Sequence, residues 1–202
     1  MHAAPRHDQR VRRPEDLASM SNQYKASAAT GANGEKGVVS RDDFLSAMKQ
    51  AASLVSVITT TVDGHRMALT VGSFLSVSAD PPLMSVCVNR GSRMCQAMKD
   101  GRSFAIHVLA DDQSHVADIF AGRPQSGSAY DFSCVEWLDQ GESREALMEG
   151  ASISAECRAE SIVAAGSHCI FIGVVTNIMT DDKRPLLYWN RLYGFPSHPT
   201  EL

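Results

Sequence analysis

Residues 66–92, RMALTVGSFLSVSADPPLMSVCVNRGS, decide the reading of this chain. They read as two β-strands joined across Pro81-Pro82, with the small hydroxyl residues Thr70, Ser73, Ser76 and Ser78 gathered around one aromatic, Phe74. Short side chains let a ligand approach the backbone. N–H and hydroxyl donors at a strand end suit a polar, planar or phosphorylated molecule, while the apolar flanks pack the sheet beneath. The same hydroxyls suit the wet faces of an ordinary strand pair, so alone the stretch marks a candidate ligand cradle.

Within it, LMSVCVN (83–89) is almost continuously apolar, as a strand buried on both faces is. It stops at Asn89-Arg90-Gly91-Ser92, and SRMCQAMKDG (92–101) reads as a helix with Ser92 as N-cap and Gly101 just past its end. A helix N-terminus beside Asn89, Ser92 and Arg93 offers N–H groups to an anion; a plain cap is the alternative. Upstream, LVSVITTTV (54–62) is rich in β-branched residues and ends at Asp63-Gly64, a hairpin signal that makes 65–73 the return strand. Before it, SRDDFLSAMKQAA (40–52) has a Ser40 N-cap, Asp42 and Asp43 in the first turn, and Phe44, Leu45 and Met48 at helical spacing. This is a short amphipathic helix leading into the sheet. Residues 1–38 are poor in large apolar groups, which predicts a flexible or disordered tail and leaves 39–202 as one folded domain. The basic opening also carries Asp8, Glu15 and Asp16 and has no apolar targeting segment, and Met20 offers a second translation start.

Downstream, SFAIHVL (103–109) reads as a strand closing at Ala110, and DDQSHVADIFA (111–121) as a helix capped by Asp111 or Asp112. His107 reads as a strand-facing polar group and His115 as part of a solvated helix face. GRPQSGSAYD (122–131) has the composition of a mobile loop. ASISAECRAE (151–160) alternates, with Ile153, Ala155, Cys157 and Ala159 on one face and Ser154, Glu156, Arg158 and Glu160 on the other, so a half-exposed strand is expected. AAGSHCIFIGVVTNI (164–178) turns at Gly166-Ser167-His168 into a long apolar strand, and an isolated histidine there is ordinarily structural. RPLLYWNRLYGF (184–195) brings together Tyr188, Arg191 and Tyr193. A cation with aromatic faces suits a nicotinamide dinucleotide, and the same strand also suits the seal of a barrel or dimer.

At 202 residues, 44% hydrophobic and 21% charged, the chain can bury one sizeable core. A net charge of −4 gives no basic footprint for nucleic acid. No apolar run reaches the roughly 18–20 residues of a membrane span. Cys87, Cys95, Cys134, Cys157 and Cys169 show no C-x-x-C spacing, which favours reduced thiols in a cytoplasmic protein over a disulfide frame or a zinc site. There is no Gly-x-Gly-x-x-Gly turn of a Rossmann domain, no P-loop and no nucleophile elbow.

Five motifs follow one another: L-T-V-G-S-F-x-S-V-S-x-x-P-P-L (69–83), N-x-x-S (89–92), V-L-A (108–110), G-x-H-x-I-F-I-G (166–173) and P-L-L-Y-x-x-R-x-Y (185–193). In that order they resemble the signature of the flavin reductase family of split β-barrel proteins, the reductase partners of two-component flavin monooxygenases. The resemblance runs over about 42–195 and departs from the family pattern at Ala68, Gly72, Met94, His107 and Ser167. It implies a mainly β fold with short helices, the FMN-binding, Greek-key split β-barrel, and a homodimer with the flavin site at or near the subunit interface. The implied reaction is hydride transfer from NADH, or less readily NADPH, to N5 of FMN or FAD, with reduced flavin diffusing to a separate oxygenase component. Neither nucleic acid nor membrane is an implied partner.

Residue by residue, the resemblance places Thr70, Val71, Gly72, Ser73 and Ser76 on the flavin ring and ribityl chain. Asn89, Ser92 and Arg93 fall on the phosphate, and the backbone of Leu109 and Ala110 falls near the ribityl-phosphate. His168, Arg191 and Tyr193 fall on the nicotinamide side, with His168 the catalytic candidate. A tight flavoprotein that shuttles electrons, or a non-catalytic flavin-binding module, is the alternative.

Overall fold

In the computed structural model, which describes residues 38–101, 103–139 and 145–197, Asp63 and Gly64 both take positive φ, 51° and 74°. That is the geometry of a two-residue type I′ hairpin, and it joins β2 (Ser56–Val62) to β3 (His65–Val71) with Val62 opposite His65. The chain divides into Met1–Lys36 and Gly37–Leu202; apart from Val38, the expected tail lies outside the described residues.

The stretch expected to form two strands forms three. β3 ends at Val71, β4 (Phe74–Ala79) follows after Gly72-Ser73, and β5 (Pro82–Asn89) returns with Pro82 opposite Ala79. With β6 (Ser103–Val108), β9 (Ile153–Ala165) and β10 (His168–Thr180), these make a seven-stranded antiparallel sheet in the order β3-β2-β6-β9-β10-β5-β4. The two edge strands, β3 and β4, are neighbours in sequence. Val71 and Phe74 are three Cα steps apart, at most about 11 Å, whereas a flat sheet of this width would hold its edges about 29 Å apart. The sheet must therefore curl until its edges face each other without a ladder between them, which is a split barrel.

A small sheet of β1 (Ser53–Leu54), β11 (Leu187–Trp189) and β12 (Leu192–Gly194) adjoins it, and β7 (Trp137–Leu138) pairs with β8 (Leu147–Met148). The α-helices among the described residues are α1 (Arg41–Met48), α2 (Arg93–Asp100) and α3 (Ser114–Phe120).

Alternation along β2 and β3 feeds two cores. Ile58, Met67, Leu69 and Val71 pack with Met94, Cys95 and Met98 of α2 and with Phe104 and Phe171, so α2 fills the barrel. Val57 and Ala68 face the other way, toward Val116, Ala117 and Phe120 of α3 and toward Met148 and Leu186.

Three local expectations change on contact with the rest of the molecule. α1 has its cap, since Ser40 Oγ accepts from the Asp43 N–H at 3.1 Å, but buries none of its residues, and Phe44, Leu45 and Met48 stay 52%, 41% and 49% exposed. Asp111 and Asp112 do not cap α3. They pair with Arg184 and Lys183, the N-cap position is Gln113, and its side chain instead accepts from the Ala110 N–H at 3.0 Å. The polar face of β9 is not exposed throughout. Ser154 and Glu156 are buried under residues 145–148, where the Glu145 N–H donates to Glu156 Oε1 at 3.2 Å and Ser154 Oγ donates to Met148 O at 2.9 Å. All five cysteines are free thiols; Cys95, Cys157 and Cys169 are buried, and Cys87 and Cys134 are half-buried. Among the described residues no helix is long and apolar enough to cross a membrane.

Candidate functional site

β5 ends where the sequence places its anion signal, and the turn is built from its own side chains. Asn89 Oδ1 accepts from the Gly91 N–H at 2.8 Å, and Asn89 O accepts from Ser92 N and Oγ at 3.1 and 2.8 Å. Ser92 Oγ in turn accepts from the Cys95 N–H at 3.1 Å and caps α2. Asn89 and Ser92 thus shape the turn. What the turn presents is the start of a helix, where the Arg93 and Met94 N–H groups have no carbonyl in the preceding turn to bond, together with the exposed Arg93 side chain.

The second part of the site arrives from the far end of the sequence. In the ladder between β5 and β10, His168 lies opposite Asn89. The turn before it, Gly166-Ser167, has Gly166 at φ 54°, as a type II′ hairpin needs at its first central position. His168 Nδ1 is 2.9 Å from Ser167 Oγ, so the hydroxyl orients the ring and leaves Nε2 for a ligand. Arg90, which the sequence reading passed over, spans the two parts: its N–H donates to Ser167 O at 3.0 Å and its Nη1 to Gly166 O at 3.2 Å. Only the Asn-Arg-Gly-Ser composition of a turn hinted at it. Ser73 belongs to the same end, for Ser73 O accepts from the Cys87 N–H at 3.0 Å, two residues before Asn89.

The remaining candidates fall elsewhere in the single chain. Thr70 points to the outer side of the barrel, where its hydroxyl donates to Ala117 O of α3 at 2.8 Å, and Val71 packs into the barrel core. Gly72 lies against β1, so a Cβ there would begin 3.1 Å from Ser53 Oγ. Ser76 stands opposite Met84, about 17 Å along β5 from Asn89, in a groove of about 440 Å³ lined also by Leu83, Val175 and Ile178. Leu109 and Ala110 are wholly buried and their backbone is spent inside the fold. The Leu109 N–H donates to Val55 O, Leu109 O accepts from Leu186 N, and Ala110 bonds Gln113 through both its N–H and its carbonyl.

Tyr188, Arg191 and Tyr193 lie on one hairpin, β11–β12. Asn190 and Arg191 form its turn at φ 48° and 66°, and the Tyr188 and Tyr193 rings lie 5.5 Å apart. The Tyr193 hydroxyl donates to Asp118 Oδ1 at 2.8 Å, and burial together with that bond pushes its pKa well up. This hairpin bonds to α3, not to the turn that carries His168.

The geometry therefore offers an anion seat with an imidazole beside it, without a cluster of metal-ligating side chains among the described residues. The model of the flavin reductase like domain matches residues 48–196. The chain belongs to that family. A flavin reductase (NADH) from Kitasatospora aureofaciens is 34% identical over 162 residues, 78% of this chain and 83% of that one. The reductase component of 4-hydroxyphenylacetate 3-monooxygenase from Thermus thermophilus is 26% identical over 76% of this chain and 95% of its own. Among solved structures, the NADH:FAD oxidoreductase of Streptomyces globisporus, in complex with NAD and FAD fragments, superposes with a TM-score of 0.70. It is 26% identical, covering 81% of this chain and 99% of that one. In this flavin reductase, the donor set at the start of α2 fits the phosphate of FMN or FAD: backbone N–H groups at a helix N-terminus and a guanidinium, with no carboxylate in the first turn.

Proposed function

We propose that this protein is an NADH-dependent flavin reductase that seats the phosphate of FMN or FAD on the turn of residues 89–93 and presents His168 to the nicotinamide side of the ring. The observation that carries this is the ladder pairing of His168 with Asn89, which sets an imidazole beside the anion seat from 79 positions away in sequence. Flavin and nicotinamide, when bound, supply the chemistry themselves, a hydride passed from C4 to N5. The chain contributes placement. The α2 N-terminus and Arg93 hold the phosphate, the barrel rim carrying Ser73 borders the ring, and Ser167 keeps the His168 imidazole in one orientation so that it can hydrogen-bond cofactor or substrate groups. No covalent catalyst is required.

The rest of the proposal concerns partners. Reduced flavin passes by diffusion to a separate oxygenase, a reading supported by the Thermus relative being a monooxygenase reductase component. A homodimer is supported by apolar side chains that the single chain leaves exposed: Phe44 and Met48 of α1, and Trp189, Leu192 and Phe195 of the C-terminal hairpin. In that assembly the second copy brings its own Arg191 and Tyr193 within reach of a shared site. A cytoplasmic location completes the reading.

The test is oxidation of NADH and NADPH followed at 340 nm, with FMN, FAD or no added flavin. Turnover that depends on added flavin and prefers NADH is the expected result. Flavin binding with no oxidation in any combination leaves a binding module and overturns the enzyme.

A further inference from the structure

We propose that Arg90 is a positioning residue for His168. Its guanidinium and backbone N–H tie both carbonyls of the Gly166-Ser167 turn to the anion seat, so that the imidazole keeps its place over the bound flavin. This rests on the reading of His168 given above and adds to it a residue that touches neither ring.

The two bonds grip the tip at successive peptide units, Arg90 Nη1 to Gly166 O at 3.2 Å and the Arg90 N–H to Ser167 O at 3.0 Å. The tip needs holding from outside, because residues 162–168 are exposed and no buried side chain anchors them. β9 and β10 pair with each other up to Ala165 opposite His168, which fixes the hairpin but not its inclination to the rest of the sheet. β5 is the other strand beside it, and its ladder stops at Asn89. Arg90 is the next residue, so its bonds extend that ladder past its end and onto the turn itself. Ser167 is then constrained twice, through its carbonyl by Arg90 and through its hydroxyl by His168 Nδ1 at 2.9 Å. Losing the guanidinium frees Gly166 O, lets the turn rock, and passes the motion through Ser167 to the ring. A misplaced orienting group costs rate and leaves binding largely alone.

The experiment compares full-length wild type with Arg90→Ala, Arg90→Lys, His168→Ala and the Arg90→Ala/His168→Ala double variant. Flavin reduction by NADH is read by stopped flow at saturating flavin, and flavin Kd is read separately by fluorescence titration. Arg90→Ala is expected to slow reduction about three- to tenfold, the effect of one hydrogen bond, with flavin Kd changed less than about twofold. Arg90→Lys, which keeps a donor for Gly166 O, recovers part of the rate. The double variant is no slower than His168→Ala, because Arg90 acts through the ring that is already gone.

Multiplying effects in the double variant, or a raised flavin Kd with an unchanged reduction rate, overturn the inference and make Arg90 a separate or phosphate-binding group. An unchanged rate in His168→Ala instead removes the reading of the site beneath it. Should Arg90→Ala not fold, Arg90→Gln in both backgrounds gives the same comparison.

Discussion

Two histidines in this molecule each hydrogen-bond a serine hydroxyl through Nδ1, in opposite surroundings. His107, in β6, is wholly buried, with Nε2 3.1 Å from Thr59 Oγ1, Nδ1 3.0 Å from Ser154 Oγ, and the Trp137 ring edge-on at 5.5 Å. Burial, with a smaller contribution from the Arg66 charge, pulls its pKa down to about 3. His168 is exposed at a hairpin tip, with Nδ1 held by Ser167 Oγ at 2.9 Å. The first ring has every polar atom answered inside the protein, so it can serve only the fold; the second is held by one side and offers the other. A histidine's neighbours, more than its motif, decide whether it is structural.

The contrast breaks most visibly at His107. His107→Ala leaves the Thr59 hydroxyl partnerless in a closed space, takes an acceptor from the Met148 N–H and opens a cavity, with an expected loss of about 3–4 kcal/mol of unfolding free energy in urea titration. A loss below about 1 kcal/mol would show that the network is not supporting the sheet.

Next comes pH. The folded-state pKa of His107, about 3, lies below the unfolded value of about 6.5, so the unfolded chain binds the proton first. The ring's contribution is complete above about pH 6.5 and is lost as pH falls toward 3, at up to about 1.4 kcal/mol per pH unit. Urea titrations across that range, differenced against His107→Gln, isolate the ring from the carboxylates. Equal slopes in the two proteins would remove the buried neutral histidine.

His168→Ala should invert this pattern, slowing flavin reduction about tenfold at saturating substrate while the thermal midpoint stays put. A shifted midpoint with an unchanged rate would place His168 with His107. The smallest effect is expected from Ser92→Asp. Aspartate caps a helix as well as serine does, so stability is kept, yet its charge beside the anion seat should raise flavin Kd about three- to tenfold, less so at high salt. Unchanged affinity for both FMN and FAD would move the phosphate elsewhere.

Much of the fold is legible in the sequence because its signals are local. Asp63-Gly64 turns a hairpin, Ser92 caps a helix three residues before the Cys95 N–H it accepts from, and the apolar run after Pro82 is a buried strand. What eludes a reading of the sequence depends on distant covers. Alternation along β9 announces two faces but not that residues 145–148 will roof the polar one, which turns Ser154 and Glu156 inward. Asp111 and Asp112 look like caps until Lys183 and Arg184, over seventy positions away, claim them. The site divides the same way. Asn89, Ser92 and Arg93 are visible as a turn and a cap, and His168 as a turn exit. The hydroxyl of Thr70 aimed at α3, the spent backbone of Leu109 and Ala110, and the reach of Arg90 all depend on which elements the barrel brings together.

The curled sheet has a further consequence. Three of its six ladders, β2–β3, β4–β5 and β9–β10, are hairpins between near neighbours, whereas β2–β6, β6–β9 and β5–β10 join strands far apart in the chain. The ladder from β5 to β10 closes a loop of about eighty residues, a slow and entropically costly event compared with closing a hairpin. Asn89 and His168 meet only across that ladder. A chain with every ladder formed but that one would have nearly all of its secondary structure and no site at all, which makes activity a more demanding reporter of complete folding here than circular dichroism.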